Sequence, residues 1–89
     1  NLILLKHSEI TAGCADMIEQ LCQLQDFQLL SNMRLTHEET AEIIRTQNEI
    51  QMITLTGSTR AGHQVGSVAG AALKKTLFEL GGSDAYIVM

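Results

Sequence analysis

Apolar residues recur along this chain with two periods. Residues 2–5, Leu-Ile-Leu-Leu, form a short unbroken apolar run, as in a strand covered on both faces. From residue 10 the spacing becomes helical. Ile10, Cys14, Met17, Ile18, Leu21 and Cys22 fall on one face, and Asp16, Glu19, Gln20 and Gln23 form the opposite, wet stripe. Ser8 or Thr11 stands where a cap for that helix is needed. Residues 27–30 read as a second strand. Thr36-His37-Glu38-Glu39 has the form of a capping box, a hydroxyl followed three residues later by a glutamate, so a second helix is expected from His37 to Arg45. Residues 51–55, with Ile53 and Thr54, predict a third strand.

A third helix follows, with Ala61, Val65, Val68, Ala69, Ala72 and Leu73 on its apolar stripe and Arg60, His63, Gln64, Ser67 and Lys74 opposite. Gly62, Gly66 and Gly70 repeat along its flank. A glycine inside a helix costs about 1 kcal/mol relative to alanine. Three of them imply close approach of something to the backbone, either a packed neighbour or a ligand. Residues 76–79 and 85–89 read as two further strands. Strands alternating with helices predict an α/β fold, a parallel βαβαβ Rossmann-like arrangement. Both ends of the chain fall within strand-like runs, so the expectation is an incomplete sheet whose open edges favour self-association.

Composition narrows the class. The chain has 89 residues, 45% of them hydrophobic and 18% charged, as in a globular protein. Aromatic residues make up only 3%, so aliphatic side chains and alanine must supply the core. The net charge is -4 and the six Lys and Arg are scattered, which excludes a nucleic-acid groove. The run at residues 2–5 is far short of a membrane span. No signal peptide is visible, and the first residue is asparagine. Cys14 and Cys22 show no metal-ligand spacing. On one helix they would lie about 12 Å apart along its axis, beyond the roughly 7 Å that a disulfide spans. Two reduced core thiols in a cytoplasmic protein are expected.

Ligands of open parallel sheets bind beyond the carboxyl ends of the strands. Three groups are expected on that rim: Lys6 with Glu9 after the first strand, Thr56-Gly57-Ser58-Thr59 after the third, and Glu79 ahead of Gly81-Gly82. Amides at the start of the third helix, with the Ser58 hydroxyl, can hold a phosphate. Lys6 can donate to ribose hydroxyls and Glu9 can accept from them. Glu79 can serve as a general base. Two familiar phosphate loops do not fit. Gly57 and Gly62 have the glycine spacing of G-x-x-x-x-G-K-[ST], but His63-Gln64 replace the lysine and the magnesium-binding hydroxyl. The G-x-G-x-x-G fingerprint is also absent, because Ser58 and Thr59 follow Gly57.

Leu5-Lys6-His7-Ser8-Glu9, Thr56-Gly57-Ser58-Thr59-x-x-Gly62 and Phe78-Glu79-Leu80-Gly81-Gly82 together resemble three ordered signatures of the aldehyde dehydrogenase superfamily. The stretches 60–75 and 79–84 look most like its succinate-semialdehyde dehydrogenase branch. The resemblance covers essentially the whole chain, which would be a partial NAD-binding domain, residues 1–89, with the catalytic and oligomerisation parts of a parent enzyme lying elsewhere. It implies that Lys6 and Glu9 hold the adenosine ribose, that Ser58 contacts the pyrophosphate, and that Ala61 and Val65 border the adenine. Thr56, Gly57, Gly62, Leu80 and Gly81 complete the implied cofactor contacts, and Glu79 would activate the water that hydrolyses a thioester intermediate. No metal is implied. The chain departs from the family's frequent prolines at His7 and Ala85, and Phe78 replaces a more usual leucine.

The implied cofactor is a nicotinamide dinucleotide. Glu9 can accept from the 2′-hydroxyl of NAD and would repel the 2′-phosphate of NADP, so NAD is expected in preference. Neither Cys14 nor Cys22 matches the family's nucleophile, since both precede Glu79 on a helix face. The 89 residues alone are therefore expected to be inactive. The alternative is a truncated or decayed product that keeps only a structural or nucleotide-binding role. Since the phosphate-loop lysine and hydroxyl are missing, titration with Mg-ATP should show no magnesium-dependent binding. Saturable, magnesium-dependent binding would overturn this reading of the turn.

Overall fold

The computed structural model describes residues 2–26, 29–83 and 85–89. The chain forms two compact units, Asn1–His37 and Glu38–Met89. In the first, strand β1 (Ile3–Leu5) is followed by a 3₁₀ turn (Glu9–Thr11), helix α1 (Ala12–Leu24) and strand β2 (Leu30–Asn32). Helix α2 (His37–Thr46) begins at the division between the units. The second unit continues with strand β3 (Met52–Thr56), helix α3 (Thr59–Ala71) and strand β4 (Lys75–Glu79).

The α/β class and the parallel pairing are as expected: β1 pairs with β2 and β3 with β4, both in parallel, each pair joined through a helix. Each unit holds one two-stranded parallel sheet, β1-β2 in the first and β3-β4 in the second. The second strand lies later than the expected 27–30, at Leu30–Asn32, and Phe27 and Gln28 fall outside the described residues. Residues 85–89 do not form the expected strand, and Tyr86, Ile87, Val88 and Met89 are exposed. Their apolarity satisfies the strand pattern, but a strand also needs a ladder partner.

Helix α1 presents a different face to its sheet than its apolar stripe suggests. Ile10, Cys14, Met17, Ile18 and Leu21 are exposed, while Ala15 is buried and Ala12, Asp16, Glu19 and Cys22 are half-buried beside it. Two carboxylates account for the orientation. Glu19 Oε2 accepts from the backbone N–H of Asn32 at 2.6 Å, and Asp16 Oδ1 accepts from Asn32 Nδ2 at 2.8 Å. Charge-assisted bonds to the end of β2 thus hold a face that a hydropathy pattern assigns to water. As a result only Cys22 of the two thiols is half-buried; Cys14 is exposed, and neither is in a disulfide.

Helix α2 carries Glu38 and Glu39 in its first turn and Arg45 in its last, the order that complements its dipole, and buries Ile44. In β3, Ile53 and Leu55 turn inward while Met52, Thr54 and Thr56 are exposed. Helix α3 buries Gly62 and Ala69. Among the described residues, Ala15, Ile44 and Ala69 are the buried apolar side chains. No helix among the described residues is long and apolar enough to cross a membrane.

Helix α3 ends in a Schellman arrangement. Lys74 N donates to Ala69 O at 2.9 Å and Leu73 N to Gly70 O at 3.0 Å. The residue in the left-handed position is Leu73, at φ 56, and its side chain is 94% exposed. A branched side chain there clashes with the following carbonyl, and glycine does not. Leu73→Gly should therefore raise stability by about 1 kcal/mol, read as a higher urea midpoint at unchanged slope. A lowered midpoint would mean that Leu73 makes compensating contacts.

Candidate functional site

The carboxyl ends of the strands form one rim in each unit. In the second unit the rim is set by register. Thr56 of β3 lies opposite Glu79 of β4, and Gly57 N donates to Glu79 O at 2.9 Å, carrying the ladder one step past β3. The turn after β3 and the loop after β4 therefore start side by side. Ser58 caps α3 in extended conformation, with its Oγ accepting from Ala61 N at 3.1 Å. That bond uses the oxygen as acceptor and leaves the hydroxyl proton for a second group. The amides of the first turn of α3 point the same way, toward the end of the helix that favours anions.

The loop after β4 crosses this helix start closely. A methyl group on Gly81 would come 3.3 Å from Thr59 Oγ1, and one on Gly62 would come 2.5 and 2.8 Å from the two methyls of Leu80. Leu80 is thus seated on Gly62. A methyl group on Gly66 would come 3.2 Å from the Phe78 ring, whereas one on Gly70 would meet no neighbouring element within 4 Å. Packing explains two glycines of the flank repeat and leaves the third unexplained. Ala61 and Val65 are half-buried; Glu79 is exposed. Thr56, Gly57, Ser58, Ala61, Gly62, Glu79, Leu80 and Gly81 are thereby gathered at one edge of the unit.

The first unit has its own rim. Lys6, half-buried, follows β1 directly, and Glu9, exposed, opens the 3₁₀ turn. The turn is knitted by small bonds: Ser8 Oγ and Thr11 Oγ1 lie 3.2 Å apart, His7 Nδ1 is 3.2 Å from Thr11 Oγ1, and Thr11 N donates to Ser8 O at 3.1 Å. Neither Ser8 nor Thr11 caps its helix through its side chain. Glu9 and Ser8 line a cleft of about 230 Å³ together with Asn32 and Arg34 from the end of β2. Arg34 donates to Asp16, and the two form an ion pair. Sequence reading missed Asn32, Arg34 and Asp16. The available signal was the strand-end rule itself, but with the second strand placed at 27–30 its carboxyl end fell short of Arg34.

The sequence profile of the Aldehyde dehydrogenase family matches residues 1–89. The chain is 38% identical over 91 residues to the succinate semialdehyde dehydrogenase [NAD(P)+] Sad of Escherichia coli (strain K12) and covers 20% of that protein. It is 40% identical to the succinate-semialdehyde dehydrogenase [NADP(+)] of Deinococcus radiodurans, covering 19% of it. In both alignments the whole of the present chain is covered. A crystal structure of succinic semialdehyde dehydrogenase from Streptococcus pyogenes, in complex with NADP+ as the cofactor, superposes with a TM-score of 0.91 at 32% identity, over 100% of this chain and 20% of that one. The chain thus spans about a fifth of the length of the relatives it matches. The names of these relatives carry NADP(+) or NAD(P)+, whereas Glu9 read alone favours NAD. That expectation counted the charge of Glu9 alone, whereas a guanidinium lines the same cleft.

The glycine geometry separates packing from propensity. Gly70→Ala should gain up to about 1 kcal/mol. Gly62→Ala should forfeit that gain and displace Leu80, seen as shifted Leu80 methyl and Gly81 amide resonances. Equal gains at both positions, with Leu80 unmoved, would contradict the close seat.

Proposed function

The chain belongs to the aldehyde dehydrogenase family, and from that membership we propose that it is the coenzyme-binding segment of an enzyme oxidising an aldehyde, succinate semialdehyde, to its carboxylate. The cofactor we propose is a nicotinamide dinucleotide, NADP ahead of NAD. The observation that carries the reading is the pairing of Thr56 with Glu79, which sets a phosphate-competent helix start beside an exposed carboxylate. Lys6 donates to the adenosine ribose, and Glu9 accepts from it where the 2′-hydroxyl is free, as in NAD. Ser58 gives its hydroxyl proton to a pyrophosphate oxygen while its own oxygen stays on Ala61 N. Ala61 and Val65 offer an apolar flank to the adenine, and Thr56, Gly57, Gly62, Leu80 and Gly81 shape the approach. When bound, the cofactor accepts hydride from the substrate. Glu79 takes a proton from water, so that the resulting hydroxide attacks the acyl carbon of the thioester and the enzyme's thiolate leaves as the C–S bond breaks. Leu80, seated on Gly62, limits the travel of the backbone that carries Glu79.

A second reading rests on the cysteines. Cys14 and Cys22 are the two thiols of these 89 residues, and both belong to α1. By the resemblance, neither matches the family's nucleophile. By themselves, then, the 89 residues bind nucleotide without turning over aldehyde, and their partner is the remainder of a larger cytoplasmic enzyme. Titration of the purified chain with NADP+ and NAD+, beside an assay of NADPH formation from succinate semialdehyde, tests both readings. Expected are saturable binding, tighter for NADP+, and no turnover. Absence of binding to either dinucleotide would falsify the coenzyme role, and turnover would refute the claim that a nucleophile is missing.

A further inference from the structure

The cleft at the carboxyl ends of β1 and β2 holds a positioned cation. Arg34, two residues past β2, lines it with Ser8, Glu9, Asn32 and Thr36. Its Nη2 donates to Asp16 Oδ2, while Asp16 Oδ1 accepts from Asn32 Nδ2 at 2.8 Å. Asn32 is fixed in turn by its backbone bond to Glu19 Oε2, 2.6 Å long. One face of α1 therefore orients the Arg34 side chain, which remains 67% exposed. A guanidinium carries five N–H donors in a planar fork. Among the described residues, Asp16 is the acceptor the structure gives it, and it engages one nitrogen. The remaining donors can serve a second oxyanion, and phosphate is the oxyanion whose geometry the fork matches in pairs.

We propose that Arg34 decides the cofactor choice of this chain by binding the 2′-phosphate on the adenosine ribose, and so outweighs Glu9. This rests on the dinucleotide reading above. A phosphate monoester carries a charge of roughly -2 at neutral pH, so a fixed cation in the same cleft acts on it strongly. Glu9 is exposed at the start of a short 3₁₀ turn, and its carboxylate can rotate into water. Arg34 is held on one side by Asp16 and cannot leave the cleft as cheaply. The asymmetry turns a cleft with one acidic and one basic side chain toward the phosphorylated ribose. His7 also lines the cleft, and its Nδ1 lies 3.2 Å from Thr11 Oγ1. The nearby acids Asp16 and Glu19 bond to Asn32.

Calorimetric titration of the full chain with adenosine 2′,5′-bisphosphate and with 5′-AMP tests this, since the two differ only in the 2′-phosphate. The bisphosphate should bind tighter by about tenfold or more at low salt, and the preference should shrink as salt rises. Arg34→Ala should bring the two affinities together while leaving 5′-AMP within about twofold of its original value. Arg34→Gln, which keeps the side-chain stem, should read the same loss if alanine disturbs the fold. Arg45→Ala removes an equal charge from α2, where Arg45 pairs with Glu42, and should leave the preference intact. Equal affinity of the two nucleotides for the unaltered chain sinks the inference alone. So does an Arg45→Ala loss as large as that of Arg34→Ala, or equal weakening of both nucleotides by Arg34→Ala. If neither nucleotide binds, the dinucleotide reading fails and takes the inference with it.

Discussion

The second unit is organised by the parallel register that sets Thr56 against Glu79. Once that pairing is made, the ladder runs on to Gly57, whose N–H donates to the Glu79 carbonyl, and both chains must leave the sheet at one level. Everything proposed for that rim follows from this constraint. Ser58 can cap α3 because the turn after β3 has two residues, Gly57 and Ser58, before the helix begins. Leu80 can rest on Gly62 because the strand carrying it ends beside the first turn of that helix. A slip of one residue would turn every side chain of β4 to the other face and take Phe78 away from Gly66.

The first unit uses a different device. Its contact between helix and sheet is made by carboxylates on strand-end donors, with a small apolar contribution from Ala15. Such bonds are directional and stronger than neutral ones, so they specify how α1 is rotated as well as how near it lies. The consequence reaches the rim. The residues that set the rotation, Asp16 and Glu19, also hold Asn32, and Asp16 holds Arg34. The larger apolar stripe of α1, including Met17, Leu21 and Leu24, is left facing outward, as is Ile10 in the turn before it.

The surroundings of Glu9 show how little one residue decides in a charged site. A lone carboxylate predicts rejection of a second phosphate, by simple repulsion. In the fold, that carboxylate shares a cleft with a guanidinium from a segment about 25 residues downstream, held by an aspartate from the intervening helix. Because Coulomb interactions in a partly enclosed cleft depend on every charge present, their sign could not be read from Glu9 alone.

Local features were legible in the sequence. The strands expected at 2–5 and 51–55 and found at 3–5 and 52–56, the helix starting after Thr36 and the close approach at Gly62 each depend on residues near one another in the chain, where backbone preference and side-chain shape act directly. The family resemblance was carried by motifs of the same short range. Tertiary structure alone decided which face of α1 meets its sheet, that the strands pair in twos, that residues 85–89 lack a strand, and that Arg34 enters the cleft with Glu9. Each of these is a choice among partners distant in sequence. An apolar run or a charge pattern states that a partner is needed; the three-dimensional competition among available donors, acceptors and surfaces selects which one it is.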